Sequence, residues 1–338
     1  MVQPLRMKLK KSRLKMSDDN FIFTEGFNCG KLLVPCLKSF FEHHNHDVHV
    51  FLSNDDIEEA SEIVSDPRVK IINVTHIPAF NELWSMGHRG TALAFASAIK
   101  QLGIGKNVFH FDSDVIFKDN CIDEMINYLD EGYDIVGPCR PYKNNLCNSD
   151  GVRQFDDTIS TYCFGINTSK IPDYDFDYFV QMCAGLANPL NHPVLDFFDG
   201  VVFARVNNGG KIKFLSSEDY GGLDHYGNRD NGFESNTFLD CGKKIVHFAG
   251  VGSGYAFDKN NRVAFADLPY KEWALGRWCL YSQVLFDQTI DFDKPTVYGN
   301  ELNLNHNSWC AGPPDQNLIE TTLSELKEVI NNDKIHNS

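Results

Sequence analysis

The sequence has no Cys-x-x-Cys pair among its ten cysteines, which removes the ligand spacing of a zinc ribbon. No apolar run approaches the ~20 residues of a membrane-spanning helix. The opening MVQPLRMKLKKSRLKM has no apolar segment after its charges, so a secretory signal is not expected. Thiols in a chain without an export signal read as reduced and mostly packing. Internal repeats and any convincing interdomain linker are missing as well. Positive charge is scarce, with 31 Lys and Arg against 46 Asp and Glu and a net charge of −15. Six of those cations (Arg6, Lys8, Lys10, Lys11, Arg13 and Lys15) stand in the opening segment, so the rest of the chain is more acidic still. Such a body repels a phosphate backbone, and nucleic acid is not an expected partner.

What is present is the composition of a packed protein: 42% hydrophobic and 12% aromatic residues over 338 positions. From Phe21 onward, strand-like and helix-like segments alternate. FIFTEGF, DVHVFLSNDD, VKIINVT, NVFHFDSDVIF and DIVGPC read as strands. GKLLVPCLKSFFEHH, IEEASEIVSD, GHRGTALAFASAIKQLG and CIDEMINYLDEG read as helices between them. This alternation predicts an α/β fold, with βαβ units on a mainly parallel sheet flanked by helices. A polar stretch at 142–157 interrupts it. TYCFGINTSKI then resumes as a strand, 196–216 as helix, glycine stop and strand, IVHFAGVGSGYAF as a strand entering a glycine turn, and 320–332 as a closing helix. The segment 217–233, rich in Gly, Asp and Asn, is expected to be a mobile loop. Residues 1–15 are expected to form a basic tail, disordered or lying before a functional start at Met16. A short amphipathic segment on an anionic membrane is the alternative. A cytoplasmic location is expected, with peripheral membrane contact left open.

The chemistry concentrates at FHFDSDVIF. Asp112 and Asp114 stand one residue apart at the end of an apolar run, and buried strands do not carry neighbouring negative charges without compensation. Both fall at the carboxyl edge of a parallel sheet, where ligands bind. Two carboxylates so spaced can share one hard divalent cation, Mg²⁺ or Mn²⁺, with a substrate diphosphate. Two alternatives stay open: a capped turn whose aspartates accept backbone N–H bonds, or a dehalogenase-type phosphatase. That phosphatase calls for Thr or Val where Ile116 stands.

The pattern resembles the GT-A glycosyltransferases. The inverting group that includes cellulose and chitin synthases has a small-residue helix about twenty residues before Asp-x-Asp, and His88–Ala98 stands in that register with Gly90, Ala92, Ala94 and Ala96. The same group has an E-D-x-x-L-x-x-R-L-x-x-x-G segment; here Phe198 precedes Asp199, with Arg205 and Gly210 in step. Glycogenin-like members close the metal shell with H-x-x-G-x-x-K-P, matched by His247 and Gly250, with Ser253 and Gly254 in place of Lys and Pro. The resemblance spans residues 20–215 and this later histidine.

It implies a GT-A (Rossmann-like) sheet with a smaller antiparallel acceptor-side portion. The catalytic domain would run from 16 to 265, with a nucleotide-binding half at 20–140, an acceptor half at 141–265, and a C-terminal extension at 266–338 packed on it. The implied reaction is transfer of a sugar from a nucleotide-sugar, a UDP-sugar first, to a hydroxyl acceptor. Mn²⁺ or Mg²⁺ would be held by Asp112, Asp114 and His247. Thr24, Glu25, Asn28, Arg89, Ser113, Gly250 and Ser253 are the expected donor contacts. Asp199 is the expected base, with Asp196, Glu218 and Asp219 as substitutes; its register implies inversion, whereas the glycogenin-like histidine implies retention. Each has an ordinary structural alternative: a helix cap for Asn28 or Asp199, a surface cation for Arg89, a buried hydrogen-bonded ring for His247. A GT-A-like module that binds without turnover is the further rival. A sugar-nucleotide pyrophosphorylase is not supported, since FTEGFNCGK lacks its G-x-G-x-R loop.

Overall fold

The computed structural model describes residues 20–26, 29–75, 99, 103, 105–141, 157–170, 201–202, 205–206, 208–215, 237–240, 244–248, 250–252, 255, 296–297 and 300–301. The expected helix at 87–103 lies almost wholly outside them. So do the tail at 1–15, most of the polar stretch, the loop at 217–233 and the closing helix at 320–332.

The first half alternates as its pattern predicts. Strand β1 (Asn20–Glu25) is followed by α1 (Gly30–His43), β2 (Val48–Leu52), two short helices α2 (Asn54–Glu59) and α3 (Ser61–Val64), and β3 (Val69–Asn73). Then come β4 (Asn107–Phe111), β5 (Val115–Phe117), α4 (Ile122–Asp130) and β6 (Ile135–Pro141). Strands β7 (Asp157–Ile159), β8 (Cys163–Asn167), β9 (Ile212–Leu215), β10 (Thr237–Asp240) and β11 (Ile245–Phe248) follow, and a small ribbon pairs β12 (Thr296–Val297) with β13 (Asn300–Glu301).

The main sheet runs β3-β2-β1-β4-β8-β6-β7, with β9 beside β6. Strands β3, β2, β1 and β4 are mutually parallel, and β6 and β9 are parallel. Strand β8 is antiparallel to both β4 and β6. A separate antiparallel sheet is ordered β10-β11-β5. The architecture is thus α/β: a central sheet with a parallel half, flanked by helices, plus a smaller antiparallel sheet. All five residues of β4 are buried, as a strand covered on both faces requires.

One sequence expectation is corrected. Residues 107–117 are two strands in two sheets rather than one. Strand β4 ends where the Asp112 amide donates to the Tyr162 carbonyl (2.9 Å), and the chain turns with Val115 N–H on the Asp112 carbonyl (3.3 Å). Because β5 is also wholly buried, apolar periodicity carries no mark of the break. Strands β7 and β10 were likewise not anticipated.

Helix α1 packs beneath that turn. Its 3–4 spacing buries Leu33, Cys36, Leu37, Phe40 and Phe41. Phe40 stacks on Phe111 and meets Phe117 edge-on, both at 5.1 Å between centroids. The helix begins hard against α2: the Gly30 amide donates to the buried Asp56 carboxylate (3.3 Å), and a Cβ on Gly30 would fall 2.5 Å from the Asp56 carbonyl oxygen. Only glycine fits there. Among the described residues no helix is long and apolar enough to cross a membrane.

His44, just past α1, is a structural histidine. Its Nδ1 donates to the Phe40 carbonyl (2.9 Å), while Nε2 accepts from the amides of Cys121 and Ile122 (3.2 and 3.3 Å) at the start of α4. The ring stacks on Phe40 at 4.4 Å. Replacement His44→Phe keeps the stack but takes the acceptor from two buried helix-start amides. The expected loss is about 1–3 kcal/mol, read as a lower urea midpoint at unchanged m-value.

Candidate metal centre at the carboxyl edge of the sheet

Strands β1 and β4 pair in parallel with Phe23 opposite His110, so Glu25 and Asp112 emerge side by side at the carboxyl edge. The chain then crosses from the main sheet to the small one through Asp112-Ser113-Asp114. Antiparallel pairing sets His247 opposite Val115, and the Phe248 amide donates to the Asp114 carbonyl (3.0 Å). A strand 130 residues downstream is thereby registered against the Asp-x-Asp turn by ordinary ladder bonds.

Asp112, Asp114 and His247 each offer a ligand atom, all within 4.8 Å of one another. Asp114 is 6% exposed and His247 7%, whereas 38% of the Asp112 side chain is open. His247 Nε2 lies 3.4 Å from Asp114 Oδ1, and its ring stacks flat on Tyr162 (3.9 Å, 19° between planes). Tyr162 thus steadies the site twice, by its ring under His247 and by its carbonyl on the Asp112 amide. Beyond β11, Gly250 adopts φ +82°, a left-handed conformation that glycine enters without strain. The turn it makes brings the Gly252 amide to Asp114 Oδ2 (3.5 Å), and the Gly252 carbonyl accepts from the Cys29 thiol (3.4 Å).

The donor set fits a hard divalent cation. Asp114 Oδ1 is buried and makes no hydrogen bond, although it lies 3.4 Å from His247 Nε2. Leaving a carboxylate oxygen so placed is costly unless a cation meets it. Two carboxylates and an imidazole suit Mn²⁺, which accepts nitrogen as well as oxygen, and also serve Mg²⁺. The local field is negative: the wholly buried Cys36 thiol is pushed well above its ordinary range, by burial first and then by the charges of Asp114 and Asp112.

A second group shares Asp112: Glu25, His110 and Asp112 also lie within ligand distance of one another. His110 is fully buried, with Nε2 3.5 Å from Glu25 Oε2 and 3.7 Å from Asp112 Oδ1. Burial alone would lower its pKa, but Glu25, then Asp112 and the Thr161 carbonyl, outweigh that and hold it above the ordinary value.

Of the sequence candidates, Asp112, Ser113, Asp114, His247, Gly250 and Glu25 meet at this edge. Thr24 is wholly buried within β1, its hydroxyl making no hydrogen bond, so its side chain faces the interior. Asn28, Arg89, Asp196, Asp199, Glu218, Asp219 and Ser253 lie outside the described residues. Cys29, the N-cap of α1, makes no side-chain cap bond. Arg205 stands elsewhere, on Asp134 at the opposite edge of the sheet. Sequence reading passed over His110 and Tyr162. For His110 a signal existed, since residues two apart on a strand share a face and His110 precedes Asp112 by two.

Neither a family model nor a curated protein sequence matches the chain. Among solved structures it is similar to mouse xyloside xylosyltransferase 1 in its apo form, at 13% identity over 58% of this chain and 85% of that one, with a TM-score of 0.38.

Proposed function

We propose that the protein is a metal-dependent glycosyltransferase that moves a sugar from a nucleotide-sugar, a UDP-sugar first, to a hydroxyl acceptor. The observation that supports this most is the convergence of Asp112, Asp114 and His247 at the carboxyl edge, with a buried Asp114 oxygen that makes no hydrogen bond and lies 3.4 Å from His247. Mn²⁺ or Mg²⁺ bound there supplies the positive charge against which a departing diphosphate develops its own. Asp114 and His247, both buried, and the half-open Asp112 would hold that cation. Glu25 at the end of β1, Ser113 and Gly250 border the donor, and Asn28 and Ser253 are its further contacts. Arg89 adds charge at its phosphates.

For the acceptor hydroxyl, Asp199 takes the proton as the bond forms, in the direct inverting attack that its register implies. Asp196, Glu218 and Asp219 are the other carboxylates suited to that task. The test is a screen of UDP- and GDP-sugars with Mn²⁺, Mg²⁺ or chelator. Cation-dependent release of nucleoside diphosphate is expected, together with a transferred sugar of inverted configuration once an acceptor is supplied. Phosphomonoester hydrolysis without sugar release would instead mark a dehalogenase-type phosphatase. Cation-dependent donor binding without turnover would mark a binding module.

A further inference from the structure

Strand β4 is apolar at every position but two: Asn107 at its start and His110 one residue before its end, the latter wholly buried between Phe109 and Phe111. The His110 ring lies 5.0 Å from that of Phe23 and 5.6 Å from that of Phe164. A phenylalanine would fill this aromatic box without burying two polar nitrogens. The imidazole is nevertheless oriented. A carbonyl oxygen can only accept, so Nδ1 donates to Thr161 (3.3 Å), and this bond turns Nε2 toward the sheet edge. There it faces Glu25 Oε2 and Asp112 Oδ1 at 3.5 and 3.7 Å. Strand periodicity makes the arrangement rigid: His110 and Asp112 share a face of β4, and Glu25 is two residues beyond Phe23, the partner of His110.

We infer that His110 is a positioning residue for the cation site, setting the plane of the Asp112 carboxylate from behind and holding Glu25 beside it. The inference rests on the metal-site reading above. Asp112 is the most exposed of the three ligands. A carboxylate fixed in its ligating orientation loses less entropy when the cation arrives, and partners behind a ligand are worth about 10- to 100-fold in metal affinity. Anchored on the Thr161 carbonyl and boxed by aromatic rings, His110 has little freedom of its own.

The experiment titrates the full-length chain with Mn²⁺ alone, by calorimetry or by the resonance of free Mn²⁺, so no donor or turnover is needed. His110→Phe preserves the aromatic packing and is expected still to unfold cooperatively while binding Mn²⁺ about 10- to 100-fold more weakly. His110→Gln, which restores an amide near the Nε2 position, is expected to recover affinity to within about threefold. Glu25→Gln should weaken Mn²⁺ in the same direction, and His110→Leu takes the place of His110→Phe if the latter does not fold. Wild-type affinity in His110→Phe and Glu25→Gln, beside loss in Asp114→Asn, overturns the positioning role and leaves the metal site standing. Undiminished affinity in Asp114→Asn as well, or no Mn²⁺ binding by the wild type, overturns both.

Discussion

Asp114→Asn is expected to abolish the rise in thermal midpoint that Mn²⁺ would give the wild type, while leaving the apo protein as stable as wild type or more so. The wild-type carboxylate is buried against His247 and close to Asp112, a second negative charge, with one oxygen that makes no hydrogen bond. Without a cation the folded state bears that repulsion, and neutralising one partner relieves it. Asparagine keeps the shape and can still accept from the Gly252 amide with its carbonyl. With the cation present the balance reverses. A ligand at 100 times its Kd stabilises the folded state by about 2.7 kcal/mol, and the variant forfeits this. The loss of Mn²⁺ affinity should exceed the roughly 10- to 100-fold given up with an outer partner, since here a ligand is removed. Asp112→Asn should lose Mn²⁺ as well, with a smaller apo stabilisation because its side chain is partly solvated. Calorimetric titration and thermal melts with and without Mn²⁺ are the measurements. A well-folded Asp114→Asn protein that binds Mn²⁺ as wild type does would remove the site.

Much of this edge was legible in the sequence because it depends on local pattern. The 3–4 stripe of α1, the apolar run of β4 and the paired aspartates all have short periods. His247 was reached through its glycine turn, and β11 sets it opposite Val115. What escaped were features set by partners far along the chain. The division of 107–117 into β4 and β5 is invisible to periodicity because both are buried on both faces; the break exists because β11 claims β5 and β8 claims β4. The antiparallel direction of β8 follows from how its connections run, which composition does not encode. Tyr162 was passed over because it acts through a backbone carbonyl and a ring stack, neither of which demands a particular spacing from the aspartates.

Arg205 shows how a well-spaced residue can serve the fold instead. Its distance from Asp199 matches the glycosyltransferase-like segment, yet its guanidinium lies on Asp134, immediately before β6, with Lys170 at 3.2 Å on the other carboxylate oxygen. The Asp134 carbonyl accepts from Asn167, which pairs with Asn107 at the amino end of β4. The cluster is therefore about five strand residues, roughly 17 Å, from Asp112. Both members of the pair are largely buried, at 11% and 7% side-chain exposure. The packing is close: a Cβ on Gly210 would fall 2.7 Å from Asp134 Oδ2 and 2.8 Å from the Arg205 carbonyl oxygen. Arg205→Met removes one partner and leaves the Asp134 carboxylate buried with Lys170 alone. Breaking a buried pair in this way costs about 3–5 kcal/mol, against total stabilities of about 5–15 kcal/mol for folded domains. Asp134→Leu combined with Arg205→Met should recover most of the loss, because replacing both partners by apolar groups of similar volume is often neutral. Urea midpoints of the single and double variants give the coupling. Because the cluster stands at the far edge, Mn²⁺ affinity of the folded fraction should equal wild type. A single variant with unchanged stability and weakened Mn²⁺ binding would return Arg205 to the functional site.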